Sequence, residues 1–187
     1  MEHARETACR PLSGRKENNG DSRCLSLIGM PGSGKSTLAR ELSSYLDWPW
    51  LDTDHLLEAW FGVGLEALKD RLGRERFLRC EEEIVLDLWV TRCIVATGGS
   101  VVYSDAAMRK LQNIGPVIYL QADPEVIASR VAQNPERGVV MQPGQDLAQI
   151  HAERKPMYEA YADLTLDTDR TDPGDCVEQI MRELNLA

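Results

Sequence analysis

The strongest constraint on the fold is a glycine-rich segment, GMPGSGKST at 29–37, which fits the pattern G-x-x-x-x-G-K-[ST]. It follows an apolar run at 24–29 that is typical of a buried strand, and it opens a segment at 36–46 with helical spacing of apolar residues. A glycine-rich turn in this position points successive backbone N–H groups into one concavity, where the helix N-terminus adds positive potential. The segment therefore predicts a phosphate-binding loop in an α/β domain.

The residue types in this loop suit a nucleoside triphosphate. Gly32 and Gly34 can adopt positive φ and let the backbone approach a ligand closely. Lys35 is expected to reach the β- and γ-phosphates, and the Ser36 hydroxyl is expected to bind Mg²⁺. The predicted nucleotide-binding residues are Gly32, Ser33, Gly34, Lys35, Ser36, Thr37 and Arg130.

Strand-like and helical patterns alternate along the rest of the chain. Such alternation indicates an α/β domain with a mostly parallel sheet. The strand candidates lie at 24–29, 48–54, 93–99, 115–122 and 162–168, and helical patterns lie at 36–46, 75–91, 104–113, 123–133, 145–160 and 173–185.

Composition limits the possible partners. The chain of 187 residues is long enough for one domain with its own core. Its net charge of −9 argues against nucleic acid or an anionic membrane surface as the main partner. Five scattered cysteines without C-x-x-C spacing favour reduced thiols over disulfides or zinc, and no apolar run is as long as a membrane span. We expect a cytoplasmic protein that acts on small molecules.

Two polar segments depart from the alternating pattern. Residues 1–23 lack apolar periodicity and are expected to form a disordered tail before a domain at 24–187. Residues 134–146 are rich in Pro and Gly and are expected to form a mobile lid. Arg137 in this loop suits a lid that closes over a transferring phosphate, although a solvated arginine is the alternative.

Two aspartates end the second predicted strand, at the sheet edge where ligands bind in open parallel sheets. Asp52 and Asp54 are two residues apart and can face the same crevice. One can order the Mg²⁺ shell, and the other can accept a hydrogen bond from an attacking hydroxyl. The alternative is that Thr53 or Asp54 caps the helix that follows.

A second glycine pair and two arginines complete the candidate site. Gly98 and Gly99 follow the third predicted strand, and they suit either a close backbone approach to a substrate or a tight turn. Arg154 can hold a carboxylate through two hydrogen bonds, or form a surface ion pair with a neighbouring glutamate. Arg130 can stack on adenine or lie exposed.

The combination of GMPGSGKST with D-T-D at 52–54, G-G-S at 98–100 and R-K-P-M-Y at 154–158 resembles the shikimate kinase family. The resemblance covers about residues 24–185. It implies a three-layer α/β/α fold with a five-stranded parallel sheet of order 2-3-1-4-5, a lid, and acceptor-binding helices at about 55–92. It also implies MgATP-dependent phosphorylation of a substrate hydroxyl, by a protein that is usually monomeric.

The same resemblance implies roles for individual residues. Lys35 and Ser36 would serve the phosphates and Mg²⁺, and Asp52 would lie in the outer shell of the metal. Asp54 would bind the acceptor hydroxyl as a base. The implied acceptor pocket also contains Gly98, Gly99 and Arg154, and the implied lid arginine is Arg137.

This chain departs from the family pattern mainly in the acceptor half. The family has F-R-x-x-E after the acids, whose Arg binds the shikimate carboxylate, whereas this chain has FLRCE at 77–81 with Leu78 at the Arg position. Lys69 stands where an aromatic residue is expected, and Ser100 replaces the third glycine of G-G-G. The lid motif R-P-L-L is R-G-V-V at 137–140.

These departures leave Glu81 without its family partner, and a buried unpaired carboxylate is costly. We expect an altered acceptor such as homoserine, with Arg154 on its carboxylate, Glu81 on its ammonium group and Asp54 on its hydroxyl. The alternative is that shikimate remains the acceptor and that Lys69 or Arg79 supplies the missing charge. Glu81 would then be protonated or paired with one of these two cations.

Two other classes of protein compete with this interpretation. One is a nucleotide-binding module that has lost transfer activity, against which the intact phosphate loop and aspartates argue. The other is a nucleotide or gluconate-type kinase of related fold. A nucleoside monophosphate acceptor would require several arginines in the helical region and lid, whereas Arg137 is the only arginine in the predicted lid.

Overall fold

Five parallel strands form one sheet in the order β2-β3-β1-β4-β5. The computed structural model describes residues 22–133, 139–140 and 144–186. Most of the predicted tail, and Arg137 with much of the predicted lid, lie outside these residues. The strands are β1 (Leu25–Ile28), β2 (Trp50–Asp52), β3 (Ile94–Ala96), β4 (Val117–Gln121) and β5 (Leu164–Asp167). The order and direction of the strands confirm the predicted fold.

Helices cover both faces of this sheet. A short 3₁₀ turn, Val101–Tyr103, follows β3. The α-helices are α1 (Lys35–Leu46), α2 (Thr53–Phe61), α3 (Leu65–Leu86), α4 (Asp105–Ile114), α5 (Pro124–Ala132), α6 (Leu147–Tyr161) and α7 (Pro173–Glu183). None of the helices within the described residues has both the length and the apolar character that crossing a membrane requires.

Alternating side chains of the central strands build two separate cores. Leu25 and Leu27 of β1 point to the face that α1 and α7 cover, whereas Ile28 packs on the other face with α3, α4, α5 and α6. Both faces are apolar because each is buried under helices, as expected for a parallel sheet. A third, smaller core joins α2 and α3 through Leu57 and Phe77, beside the sheet.

The predicted strands are confirmed within a few residues, but one helix differs from its pattern. The spacing at 75–91 predicts a single helix, whereas α3 begins at Leu65 and ends at Leu86. Gly73, with φ 68° and ψ 165°, interrupts the helical backbone and bends α3 into two halves. The bend disrupts the regular spacing of apolar residues on which the prediction depended.

Hydrogen bonds tie together the loops at the carboxyl ends of the three strands nearest the site. The Thr97 hydroxyl donates to the Leu27 carbonyl at 3.0 Å, which links the end of β3 to β1. The Gly98 N–H donates to the Thr53 hydroxyl at 2.9 Å, which links the loop after β3 to the start of α2. The segments after β1, β2 and β3 therefore meet at one edge of the sheet.

Candidate active site

The glycine-rich segment forms a loop that curls around the Lys35 side chain. Gly32 and Gly34 have positive φ of 82° and 95°, as the turn before α1 requires. The buried Lys35 Nζ donates to the carbonyl oxygens of Gly29 and Met30, each at 2.8 Å. These contacts hold the ammonium group inside the loop, at the N-terminus of α1, where phosphate oxygens are expected to bind.

Arg130 connects this loop to the segment after β5. Its guanidinium donates to the Gly32 carbonyl at 3.3 Å and the Thr168 carbonyl at 3.1 Å, and lies 3.8 Å from the Asp169 carboxylate. These residues border a cavity of about 630 Å³, open to solvent. Its lining also includes Ser33, Gly34, Thr37 and Pro173. The cavity joins the phosphate loop, and Arg130, for which the sequence left open stacking on adenine or exposure, lies at its wall.

Asp52 joins the phosphate loop to α2. Its Oδ2 accepts a hydrogen bond from the Ser36 hydroxyl at 2.7 Å, and its Oδ1 accepts one from the Asp54 N–H at 3.0 Å. Asp52 is therefore the N-cap of α2, a role for which the sequence suggested Thr53 or Asp54. A hydroxyl beside a carboxylate at the phosphate loop is a donor set that fits Mg²⁺, which takes few protein oxygens besides phosphates.

A second cavity of about 180 Å³ lies between the phosphate loop and α2, α3 and α6. It brings together most of the predicted acceptor-binding residues with Lys35, the predicted phosphate-binding lysine. The residues that matter for its chemistry are Lys35, Asp54, Lys69, Glu81, Ser100 and Arg154. Positive and negative side chains thus share a small space that is partly open to solvent.

The two glycines after β3 allow this crowding. A side chain at Gly98 would overlap carboxylate oxygens of both Glu81 and Asp54, and one at Gly99 would lie 2.6 Å from the Pro31 ring. The Tyr158 hydroxyl donates to the Gly99 carbonyl at 2.5 Å and fixes the loop from the side of α6. Glycine is therefore required at both positions, because neighbouring side chains approach the backbone too closely to leave room for a Cβ atom.

Arg154 is fully buried, which contradicts the alternative of a surface ion pair. Its Nη2 donates to the Val140 carbonyl at 2.7 Å and its Nε donates to the Tyr103 hydroxyl at 3.2 Å. Among the described residues, its Nη1 has no hydrogen-bond partner. A buried guanidinium with an unused donor in a cavity is suited to an anionic ligand. Tyr103 was missed by the sequence analysis, since only its place shortly after the glycine pair distinguishes it.

Burial raises the pKa of both acids in this cavity. The pKa of Asp54 rises to about 6, mainly through burial and then through the charge of Asp52, while Lys35 opposes the shift. The pKa of Glu81 rises to about 8, mainly through burial and then through the charge of Asp54. The Ser100 hydroxyl hydrogen-bonds to the Glu81 carboxyl group. Glu81 is therefore mostly protonated at neutral pH.

The residues that depart from the family pattern occupy different places. Leu78 lines a surface depression that shares Glu81 and Ser100 with the cavity, and Arg79 is exposed and pairs with the exposed Glu75. One of the sequence-based alternatives was that Arg79 neutralises Glu81. The exposed position of Arg79 and its pairing with Glu75 contradict that alternative. Lys69 does line the cavity, together with Phe77.

The fold, the phosphate loop and the adjoining cavity define a P-loop phosphotransferase of the α/β/α type. The family model for shikimate kinase matches residues 31–185. The shikimate kinase of Paracidovorax citrulli is 34% identical over 174 residues, which cover 90% of this chain and 95% of that protein. The shikimate kinase of Dechloromonas aromatica is 32% identical over 166 residues, which cover 87% of this chain and 91% of that protein. The chain belongs to the shikimate kinase family.

The likeness extends to a solved structure, described as shikimate kinase from Acinetobacter baumannii in complex with shikimate. It has a TM-score of 0.81 and 25% sequence identity, and the match covers 88% of this chain and 93% of that one. Family membership makes the chain a kinase whose acceptor group is an alcohol, as the sequence predicted. The relatives named here give no support to the homoserine-type acceptor that was expected from Leu78.

Proposed function

We propose that this protein transfers the γ-phosphoryl group of MgATP to a hydroxyl of shikimate. The observation that carries the proposal is the cavity beside the phosphate loop, because the buried Arg154 and the carboxylic acid Asp54 both line it. Shikimate combines one carboxylate with several ring hydroxyls, so a cation and a base in one cavity match its two kinds of polar group. Family membership supports the same acceptor.

Arg154 supplies the contact for the acceptor carboxylate. Among the described residues its Nη1 donor has no protein partner, while Nη2 and Nε are fixed by Val140 and Tyr103. The guanidinium is therefore already oriented, and a carboxylate that accepts from Nη1 satisfies a buried donor. Charged hydrogen bonds of this kind are stronger than neutral ones.

Asp54 is the group that orients the acceptor hydroxyl. With a pKa of about 6 it is mostly ionised at neutral pH, so it can accept a hydrogen bond and then a proton from the hydroxyl. Lys35 lines the same cavity and links it to the phosphate loop. A hydroxyl held by Asp54 thus lies beside the predicted position of the transferred phosphate.

The state of Glu81 supports shikimate over homoserine. An amino-acid alcohol would place an ammonium group on this side chain, which requires an ionised carboxylate. Burial instead raises the pKa of Glu81 to about 8, and its carboxyl group is already hydrogen-bonded to Ser100. A mostly neutral Glu81 must lose its proton before it can pair with an ammonium group, which weakens such binding at neutral pH.

On the nucleotide side, Lys35 and the loop N–H groups would bind the phosphates, and Arg130 would border the nucleoside. Ser36 and Asp52 would hold Mg²⁺, directly and through the outer shell respectively. When bound, Mg²⁺ would neutralise charge on the phosphates. The role of Arg137 as lid arginine stays a prediction, because that residue lies outside the described part of the chain.

The test is ADP release from MgATP by the purified protein with shikimate, L-homoserine, gluconate or no acceptor. We expect turnover with shikimate well above the other three conditions, and Lys35→Met should abolish it because the phosphate-binding ammonium group is lost. Turnover with homoserine alone would contradict the proposal and indicate an altered acceptor. Binding of ATP without turnover on any acceptor would indicate a nucleotide-binding module.

A further inference from the structure

We infer that Lys69 is a second ligand of the acceptor carboxylate and carries the positive charge that Leu78 lacks. The inference rests on the proposed function, because it concerns the same acceptor. It assigns a specificity role to a residue that stands where the family has an aromatic side chain. The carboxylate would then lie between Lys69 and Arg154 at the wall of the cavity.

The bend in α3 brings Lys69 into the cavity. Residues eight apart in a straight helix are about 12 Å apart along its axis. Here the backbone turns at Gly73, between the two residues, and the Lys69 Nζ lies 5.6 Å from the centre of the Phe77 ring. The Lys69 side chain is only 13% exposed, so it lies inside the fold and not along its surface.

The other cations of this region are less suited to binding the acceptor carboxylate. Arg79 is 65% exposed and pairs with Glu75. Arg74 lies over the Tyr103 ring, with its guanidinium carbon 5.0 Å from the ring centre, and it does not line the cavity. Lys35 lines the cavity but is held by the phosphate-loop carbonyls. Within the described residues, Lys69 is thus the cation that best complements Arg154.

The charges around Lys69 are compatible with this role. Its Nζ lies 3.4 Å from a Glu66 carboxylate oxygen, and that side chain is 52% exposed. An ion pair with an exposed partner is worth little, so an acceptor carboxylate can compete for the ammonium group. The ammonium group also acts on Asp54 and Glu81, the two acids of the cavity. Because Glu81 is mostly neutral, Asp54 is the one of these two acids whose negative charge opposes an anion beside Lys69.

The experiment compares Lys69→Met with Lys69→Arg in steady-state kinetics. Methionine is an unbranched side chain only one heavy atom shorter than lysine, so it can still pack on Phe77 while the charge is removed. We expect KM for shikimate to rise about 10- to 100-fold in Lys69→Met, the range for one lost charged hydrogen bond. KM for MgATP should stay near the wild-type value, and Lys69→Arg should retain most of the affinity for shikimate.

A second readout separates a carboxylate contact from a general loss of structure. The wild type should prefer shikimate over its methyl ester, and Lys69→Met should lose much of that preference. The matched control is Arg79→Met, the same change at an exposed cation of α3, which should leave all these constants unaltered. A thermal unfolding scan of each variant, with and without MgATP, verifies folding.

The outcomes distinguish the two proposals. If the wild type phosphorylates shikimate and Lys69→Met keeps its KM and its preference for the free acid, the inference about Lys69 is wrong and the proposed function stands. If the wild type does not phosphorylate shikimate, the proposed function is wrong and the inference fails with it.

Discussion

At the scale of single residues, carboxylate oxygens of Asp54 and Glu81 both approach Gly98, but the two acids differ in their ionisation states. Asp54, with a pKa of about 6, is mostly ionised at neutral pH, whereas Glu81, with a pKa of about 8, is mostly protonated. Two acids whose environments push their pKa values apart are suited to different tasks. Asp54 can act as a base, and Glu81 contributes a neutral hydrogen-bonding group.

Replacing Asp54 by Asn tests the assignment of the base. Asparagine cannot take the hydroxyl proton, so kcat should fall by about 10²- to 10⁴-fold, the usual contribution of a general base. KM for MgATP should change little, because Asp52 and not Asp54 contacts Ser36. Steady-state kinetics with shikimate and MgATP measures both constants.

The matched control for this substitution is Asp47→Asn, at the exposed end of α1 where φ is 53°. Asparagine tolerates such a backbone conformation, so this variant should keep the wild-type constants. An equal loss of kcat and of ATP affinity in Asp54→Asn would remove Asp54 from the acceptor role. A kcat close to that of the wild type would exclude it as the base.

Residue roles differ in how far the sequence alone could predict them. The phosphate loop is a continuous motif, so the positions of Lys35 and Ser36 follow from local spacing. The neutral state of Glu81 depends on burial and on Asp54, which is distant in the chain. Lys69 lines the cavity in the first half of α3, before a bend that no sequence motif predicts. The sequence offered a protonated Glu81 and a compensating Lys69 only as alternatives, because burial and tertiary packing decide between them.

At the scale of elements, the loop after β3 controls the space between α2 and α3. Gly98→Ala should therefore weaken both catalysis and folding, because the new methyl group would meet the carboxylates of Asp54 and Glu81. We expect kcat/KM for shikimate to fall more than kcat/KM for MgATP. Overpacking of this kind typically costs about 1–3 kcal/mol in the free energy of unfolding. Kinetics and urea unfolding measure the two effects.

Gly64→Ala is the control for that prediction. Gly64 precedes α3 with φ −65° and ψ 154°, and the nearest atom that a new methyl group would meet is a Glu58 oxygen 4.0 Å away. This variant should lose less stability than Gly98→Ala, because the new methyl group meets no close atom, although alanine is a poorer helix N-cap than glycine. If Gly98→Ala matched Gly64→Ala in both measurements, the glycine would be only a turn residue.

The elements also show where sequence patterns stop being informative. Each strand is a short apolar run between turn residues, so all five could be located. The order of the strands came from the family resemblance, since five similar runs do not specify their neighbours. Gly73 bends α3 and interrupts the regular spacing of its apolar residues, so the spacing predicts only the second half of that helix.

At the scale of the whole molecule, the cavity makes stability depend on pH. The pKa of Glu81 is about 8 in the folded protein and near 4.5 for an ordinary glutamate, so between these values the folded state binds the extra proton. The free energy of unfolding therefore falls as pH rises from about 5 to 8, by at most about 1.4 kcal/mol per pH unit from this group. Asp54 contributes in the same direction at lower pH.

Replacing Glu81 by Gln should flatten this decline. Glutamine keeps the size of the side chain and a hydrogen bond to Ser100 but has no proton to lose. Urea unfolding followed by tryptophan fluorescence at pH 5, 6, 7 and 8 should show a shallower slope for Glu81→Gln than for the wild type. Glu75→Gln removes an exposed carboxylate from the same helix and should keep the wild-type slope. Parallel slopes for the wild type and Glu81→Gln would mean that Glu81 is ionised in the folded protein. An ionised Glu81 would be able to bind the ammonium group of a cationic acceptor.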